Sequence, residues 1–299
     1  MSSIVLVILF LTLSTRFILS VPEDFPINTT YTVEKGWGLN FLAQDLKNKD
    51  IINSTFWFKT FSVLFGGTKK IVAGDYALNK KENSFILAER FVTGDFKLEH
   101  IKITIPEGLN TSEMAKILSD KFVKIKEQDF IKLASSSEGY LFPDTYFFLP
   151  NITSDQVVKE MKQTFTKKVA SSTPDIIKMA SILELEARTT ETRRIVAGIL
   201  WNRLAKGMPL QVDASFKYIN GKTTKTLTTE DLKLNSPYNS YVNKGLPPTP
   251  ISNPGLDSIK AAVTPIKTNY LYFLTDDNGI MRYAETYDKH LQNKQIYLK

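Results

Sequence analysis

The stretch that most constrains the fold runs from Asp175 to Asp213, where two segments with helical spacing are joined by a short polar turn. A polar residue followed by Pro174 is a typical start for the first helix. Thr190 is the expected cap of the second helix, and Gly207 is a typical residue to end it. The stretch therefore predicts a helical hairpin, followed by a short extended polar run that reaches Asp213.

Two acids near the end of the first helix have different surroundings on helical spacing. Glu186 ends an apolar stripe, where desolvation would raise its pKa into the range that a general acid needs near neutral pH. A carboxylate that simply faces water at the helix end fits the same pattern, so spacing alone leaves both interpretations open. Glu184 lies on another face and is predicted to form a solvated ion pair with Arg188, four residues later.

Composition excludes several kinds of site. The 299 residues suffice for about two domains. The chain has no cysteine and only two histidines, which excludes disulfides, thiol catalysis, cysteine-ligated metals and a histidine-rich metal site. The net charge of +7 is spread over single lysines and is typical of a basic surface. No glycine-rich phosphate loop follows a strand. We expect no metal, no cofactor and no nucleic-acid partner.

The N-terminal residues 1–21 are predicted to be a membrane anchor or a signal segment. Residues 4–13 are apolar, Arg16 lies in a short interruption, and residues 17–21 are apolar again. The span just reaches the length of a membrane helix, and a signal peptide is the alternative. No clear cleavage site follows, which favours a retained single-pass anchor. Either interpretation sends the polar part of the chain across a membrane.

Residues 22–100 are predicted to form a small α/β subdomain. A short strand at 31–33 is followed by two glycines and by a helix at 39–47. This order resembles the opening of a LysM module, which binds N-acetylated glycans, although a plain α/β adaptor fits as well. Further helices are expected at 55–64 and 84–92, with a strand at 71–78.

Residues 101–299 are predicted to form a larger mixed domain, so that the fold class is α+β. Strands at 100–105, 270–274 and 281–284 alternate with helices at 155–168, 256–262 and 286–294, and Thr111 is the expected cap of another helix. Aromatic residues surround a turn at Pro143, where a core role is favoured over sugar stacking. Residues 236–255 hold five prolines, and such a long ordered loop usually serves a site.

Several segments, in this order and spacing, together resemble the YceG-like family. They are IPEG (105–108), EGYLFPDTY (138–146), ASILELEA (180–187), NRLAKGMPLQVD (202–213), SPYNSY (236–241), GLPPTPISNPG (245–255) and YLYF (270–273). The match covers nearly the whole chain after the apolar N-terminal run. It implies an α+β catalytic domain at 101–299, behind a LysM-like part and a membrane anchor.

The resemblance also implies an activity. Family members are endolytic lytic transglycosylases that cleave the β-1,4 bond between N-acetylmuramic acid and N-acetylglucosamine in peptidoglycan. The cut leaves a 1,6-anhydro end and would terminate strand elongation. Such a protein would lie in the bacterial cytoplasmic membrane with its catalytic domain outside. The expected partners there are peptidoglycan strands and peptidoglycan synthases.

The family's catalytic Glu falls on Glu186. Ala187 and Leu185 depart from residues frequent in relatives, but neither change removes a titrating group. The other residues assigned to substrate binding are polar or aromatic side chains on the matching segments: Glu138, Asn202, Gln211, Asp213, Tyr238, Asn239 and Asn253.

A lytic transglycosylase needs one carboxyl group, since the C6 hydroxyl of the substrate is its own nucleophile. Glu186 would protonate the leaving oxygen and then accept the proton of that hydroxyl. Glycan hydrolases normally use two carboxylates, so Glu138 at about 5–9 Å from Glu186 would make hydrolysis possible instead.

Two other functions are compatible with the sequence. A membrane-anchored scaffold could bind peptidoglycan with the same modules and an inactive cleft. A small-molecule lyase dependent on pyridoxal phosphate is a weaker alternative, since no phosphate loop and no candidate Schiff-base lysine is apparent.

Overall fold

The computed structural model describes residues 18–66, 71–169 and 172–298. Most of the predicted anchor, residues 1–17, lies outside the described residues. Within them, no helix is both long and apolar enough to cross a membrane. The chain divides into two compact units, Met1–His100 and Ile101–Lys299, and the described parts are mixed α and β.

The first unit is a two-stranded antiparallel sheet covered by helices. Strand β1 (Thr29–Val33) pairs with β2 (Gly74–Leu78), and helices α1 (Leu39–Asn48) and α2 (Thr55–Leu64) lie between them in sequence. Helix α3 (Ser84–Thr93) follows β2. Alternation along β1 leaves Thr30 and Thr32 exposed while Tyr31 and Val33 enter the core. The helices and the sheet enclose a core centred on Tyr31, Leu42, Phe58, Tyr76, Leu87 and Phe91.

The second unit opens with a smaller core around a second strand pair. Strand β3 (Ile101–Thr104) is antiparallel to β4 (Thr145–Phe148). Helices α4 (Thr111–Ser119) and α5 (Glu127–Ala134) lie between the two strands, and α6 (Ser154–Lys168) follows them. Asn110, not Thr111, caps α4, in a capping box with Glu113. The sequence pattern had not predicted α5.

The remaining elements surround the predicted hairpin. It consists of α7 (Pro174–Glu186) and α8 (Thr190–Ala205), and the short α9 (Ala214–Asn220) follows. Then come α10 (Leu256–Val263), the antiparallel pair β5 (Tyr272–Thr275) and β6 (Met281–Ala284), and α11 (Tyr287–Tyr297). The cap of α8 is Thr189, one residue before the predicted one, because its side chain and that of Thr192 bond reciprocally to the backbone.

Helix α7 lies in the centre of the largest core cluster. Its buried residues lie on nearly every side of the helix: Ile177, Met179, Ala180, Ser181, Ile182 and Leu183. The buried surface of α7 is therefore wider than the single apolar stripe that spacing predicted. Ser181 can be buried without an unpaired polar group, because its hydroxyl accepts a hydrogen bond from the Ile251 backbone N–H at 3.1 Å and donates one to the Lys178 carbonyl.

Candidate active site

Glu186 is the last residue of α7, and its carboxylate reaches the start of α9. The backbone turns at Ala187 into extended conformation, with φ −137°. The Ala214 backbone N–H donates to Oε1 of Glu186 at 3.1 Å. The glutamate residue is half-buried, next to a wall of core residues that includes Leu183 and Ala187. The residue as a whole is partly exposed, whereas its carboxyl group is largely desolvated.

These surroundings change the acidity of Glu186. Burial raises its pKa from 4.5 to about 7, the Ala214 N–H opposes the rise, and the negative charge of Asp213 adds to it. A carboxyl group with this pKa is protonated in a large fraction of molecules near neutral pH. It can therefore donate a proton and, once ionised, accept one.

Two loop segments hold the residues around Glu186 in place. Pro209 and Lys244 form an antiparallel bridge, and the Gln211 N–H donates to the Ser240 carbonyl at 3.0 Å. The Ser240 hydroxyl accepts from the Val212 N–H at 3.0 Å and donates to the Val212 carbonyl at 3.1 Å. The proline-containing loop thus fixes the polar run that follows α8.

Asp213 and Gln211, two of the predicted substrate-binding residues, lie in this fixed segment. Asp213 precedes α9 in helical rather than extended conformation, and its Oδ1 accepts from the Tyr241 hydroxyl at 2.6 Å. Gln211 is exposed and adopts a left-handed backbone with φ 50°, which is unusual for a residue other than glycine. Its side-chain oxygen accepts from buried Arg203, which also donates to the Pro209 carbonyl.

Tyr241 was not among the predicted site residues. It is the last letter of SPYNSY, the segment that also contains Tyr238 and Asn239. Its ring packs 5.9 Å from that of Phe216 in α9, and its hydroxyl bonds to Asp213. Burial, the Asp213 hydrogen bond and the nearby charges of Asp213 and Glu186 raise the pKa of Tyr241, so that it remains a donor. The sequence signal that could have identified Tyr241 was its place at the end of SPYNSY, one of the segments that resemble the family.

Glu138 and Asn253 form a buried pair. The Asn253 amide donates to Glu138 at 2.7 Å, and the Thr111 N–H donates to the other carboxylate oxygen at 3.0 Å. The Asn253 side-chain oxygen accepts from the N–H groups of Gly139 and Leu141. Glu138 is 4% exposed and Asn253 is fully buried. Burial raises the pKa of Glu138. The pair connects the 138–146 segment to the proline-containing loop.

The remaining predicted residues also have partners within the chain. Asn239 is buried and donates to the carbonyls of Leu232 and Leu234. Asn202 donates to the Thr268 carbonyl at 2.6 Å. Tyr238 is half-buried, and its hydroxyl lies 2.9 Å from that of Thr249. Of the substrate-binding set, Asp213 has the most direct electrostatic effect on Glu186.

Glu184 does not form the predicted solvated pair with Arg188. Its side chain is 5% exposed, and it accepts from Arg193 at 2.7 Å and from the Gly255 N–H at 2.8 Å. Arg193 also donates to Asp257 at 2.7 Å. The pairing differs because α7 ends at Glu186, so that Arg188 lies beyond the helix, whereas α8 brings Arg193 back alongside it. Glu184 therefore stabilises the junction of α7, α8 and α10.

The described residues contain no group of three or more His, Cys, Asp or Glu side chains arranged to hold a metal ion. The groups around Glu186 that carry chemistry are a carboxyl group, an aspartate, a tyrosine and backbone N–H donors. This set fits proton transfer to and from an oxygen atom.

The chain is similar in sequence and in fold to known proteins. A sequence profile of the YceG-like family matches residues 31–296. The endolytic murein transglycosylase of Bacillus subtilis strain 168 is 31% identical over 315 residues, which cover 93% of this chain and 87% of the relative. That of Streptococcus pneumoniae strain D39 is 26% identical over 88% of this chain, which spans only 57% of the relative's length.

A solved structure is also similar. The 2.6 Å crystal structure of a YceG-like protein from Listeria monocytogenes matches with a TM-score of 0.59 and 29% identity, over 88% of this chain and 98% of the other. The profile match, the relatives and the shared fold agree along most of the sequence. This chain is a member of the YceG-like family.

Proposed function

We propose that this protein is an endolytic lytic transglycosylase of peptidoglycan. It cleaves the β-1,4 bond between N-acetylmuramic acid and N-acetylglucosamine within a glycan strand and leaves a 1,6-anhydro end, which terminates elongation. The observation that carries the proposal is Glu186, a carboxyl group with a pKa of about 7 at the end of α7, beside Asp213. The names of the bacterial relatives support the substrate and the reaction.

Glu186 acts first as an acid and then as a base. Its proton moves to the glycosidic oxygen as the bond from that oxygen to C1 of the muramic sugar breaks. The C6 hydroxyl of the same sugar then closes on C1 and returns its proton to the Glu186 carboxylate. No water is consumed, and the carboxyl group is restored. An intramolecular attack has a high effective concentration, which favours it over attack by water.

The surroundings of the other carboxylates favour this one-acid mechanism. Glu138, the predicted rival, has both carboxylate oxygens bonded inside the protein, and Glu184 is bonded to Arg193 and Gly255. Neither is free to activate a water molecule. Asp213 is held by Tyr241 close enough for its charge to raise the pKa of Glu186. We assign Asp213 and Gln211 to hydrogen bonding with substrate hydroxyl and N-acetyl groups.

The first unit would bind the glycan strand as a LysM-like module. A groove of about 700 Å³ there is lined by Trp37 and Phe41, among other residues. Their rings meet edge to face at 4.6 Å, and Phe41 remains 55% exposed. Exposed aromatic faces of this kind suit the apolar faces of sugar rings.

Residues 1–21 would retain the protein in the cytoplasmic membrane, with both units on the outer side. The apolar run has about the length needed to span a bilayer. This location would bring the enzyme to nascent strands and to the synthases that make them.

The test compares purified wild type with Glu186→Gln on isolated peptidoglycan, with mass spectrometry of the products. We expect anhydro-ended fragments from wild type and a loss of about a hundred- to ten-thousand-fold in the variant. Glu160→Gln is the matched control, since Glu160 is an exposed glutamate on α6, and it should retain full activity. Anhydro products from Glu186→Gln at the wild-type rate would refute the assignment. Glycan binding by wild type without any product would instead indicate a scaffold protein.

A further inference from the structure

The first unit carries a partly exposed apolar face, of which Phe61 and Phe65 also pack against its core. It is formed by α2 and the start of α3, and its members are Phe56, Trp57, Phe61, Val63, Leu64, Phe65 and Phe85. We call it the α2 aromatic face. Leu64 is 72% exposed and Phe56 is 63% exposed. Contiguous apolar surface of this kind usually marks an interaction site.

The rings of this face form one continuous cluster. Phe56 contacts Trp57 at 5.2 Å between ring centroids, and Trp57 lies 6.0 Å from Phe61. Phe85 bridges Phe61 and Phe65 at 5.2 and 5.1 Å. The cluster is therefore a broad, rigid surface, since the rings hold one another in place.

The end of the apolar N-terminal run lies next to the start of α2, the helix that carries most of this face. The Asn53 amide donates to the Ser20 hydroxyl at 2.8 Å. Ser54, the following residue, caps α2 through a hydrogen bond from the Trp57 N–H. A membrane-spanning segment that ends near residue 20 would therefore deliver α2 to the surface of the bilayer.

The charge of this part of the chain fits an anionic surface. Residues 51–74 contain three lysines, Lys59, Lys69 and Lys70, and no aspartate or glutamate. Aromatic and aliphatic side chains flanked by lysines are the composition of helices that lie in the membrane interface. At the other end of the face, Phe85 lies between the exposed Lys81 and the exposed Glu89, so that lysines still outnumber acids around the face. A hydrophobic protein partner would not require this excess of lysine.

We propose that the α2 aromatic face docks into the interfacial layer of the same membrane that holds the anchor, with anionic lipid as its partner. The inference rests on the proposed anchor at residues 1–21. Docking would fix the height and orientation of the first unit above the bilayer. The LysM-like groove would then meet glycan strands at a set distance from the membrane.

The test uses the full chain, whose lack of cysteine allows labelling at one introduced site. Leu64→Cys and, as a matched control, Thr30→Cys are each labelled with an environment-sensitive fluorophore. Thr30 is exposed on β1, on the sheet face opposite buried Tyr31. Both proteins are reconstituted into vesicles of phosphatidylcholine and phosphatidylglycerol, with and without brominated acyl chains. Flotation of the vesicles measures anchoring separately.

We expect both proteins to float with the vesicles, and only the Leu64→Cys label to shift to the blue and lose intensity with brominated lipid. Flotation with an unquenched Leu64→Cys label would overturn docking and leave the anchor intact. A label shielded from both brominated lipid and aqueous iodide would mean that protein, such as a second copy, covers the face, which also overturns the proposal. A chain that does not float would overturn the anchor and the docking together.

Discussion

Glu186 combines a pKa near neutrality with a hydrogen bond and a neighbouring charge that act on it in opposite directions. The Ala214 N–H stabilises the carboxylate, whereas burial and the charge of Asp213 favour the protonated form. Since burial and the charge of Asp213 outweigh the hydrogen bond, Glu186 still holds the proton that the proposed reaction needs near pH 7. The position of the alkaline limb of the pH–rate profile should therefore depend on Asp213.

Replacing Asp213 by asparagine should move that limb to lower pH. The change removes the charge that raises the pKa of Glu186, and the Asp213 side chain makes no capping hydrogen bond to α9 that would be lost. The profile of kcat/KM against pH on a soluble glycan is the measurement. Tyr241→Phe is the control, because it removes the hydroxyl that binds Asp213 but keeps the carboxylate charge. An unchanged limb in Asp213→Asn would show that Glu186 does not respond to this charge.

The raised pKa of Glu186 also predicts an effect on stability. Between pH 4.5 and about 7 the folded chain holds a proton that the unfolded chain releases, so that the free energy of unfolding falls as pH rises through this window. Glu186→Gln does not titrate and should be more stable than wild type at pH 8, by up to about 3 kcal/mol. The gain should disappear towards pH 4, where the glutamate is neutral as well.

Urea unfolding of both proteins at pH 4, 6 and 8 measures this difference. Glu160→Gln, at an exposed glutamate on α6, is the control for the substitution itself. A Glu186→Gln variant that is less stable than wild type at pH 8 would show that the carboxylate stabilises the fold. Loss of activity together with a gain of stability is the expected signature of a residue retained for function.

At the level of elements, α8 is hydrogen-bonded to the end of α10 and to the segment that leads from it into β5. The Ile266 N–H donates to the Arg194 carbonyl at 2.9 Å, and the side chains of Trp201 and Asn202 donate to the carbonyls of Ala262 and Thr268. Gly198 lies between these contacts, and a Cβ there would lie 2.1 Å from the Ile266 oxygen. The close approach of helix and loop requires a glycine at this position.

Gly198→Ala should therefore destabilise the protein, although alanine is preferred over glycine by about 1 kcal/mol inside a helix. The backbone of residues 264–268 would have to move away from α8, with loss of the hydrogen bonds on both sides. Thermal unfolding measures the effect. Gln163→Ala is the control, because Gln163 is exposed on α6 in the same unit, and it should change the melting temperature little. A more stable Gly198→Ala protein would mean that the loop moves away without cost.

The sequence predicted most of the elements, although not α5, β4 or α9, and it did not predict how the elements meet. Hydrophobic spacing and capping residues predicted most helices within a few residues, and β6 was predicted with its observed bounds. Spacing within one helix could not identify Arg193 as the partner of Glu184, because that contact depends on where α8 returns. For the same reason the sequence did not identify Tyr241, because Tyr241 reaches Asp213 only through the pairing of two loops. Asn253, a proposed binding residue, lies in an internal hydrogen-bond network that spacing could not predict either.

At the level of the whole molecule, catalysis and glycan retention are proposed to lie in different units. Glu186 belongs to the second unit, and the groove with Trp37 and Phe41 belongs to the first. The two activities should therefore separate by mutation. Trp37→Ala/Phe41→Ala should weaken binding to insoluble peptidoglycan, because stacking on a sugar ring would be lost. Its turnover of short soluble glycans should stay near that of wild type.

Glu186→Gln should show the opposite behaviour, with wild-type binding and a loss of about a hundred- to ten-thousand-fold in the formation of anhydro products. Sedimentation with insoluble peptidoglycan measures binding, and mass spectrometry of soluble fragments measures turnover. Val123→Ala controls for the loss of exposed apolar surface, since Val123 is 97% exposed in the second unit, and it should change neither quantity. Unchanged binding in the double variant would place glycan retention outside the groove. If the double variant lost turnover of short glycans to the same extent as it lost binding, the groove would be required for catalysis. A model with separate roles for the two units would then be wrong.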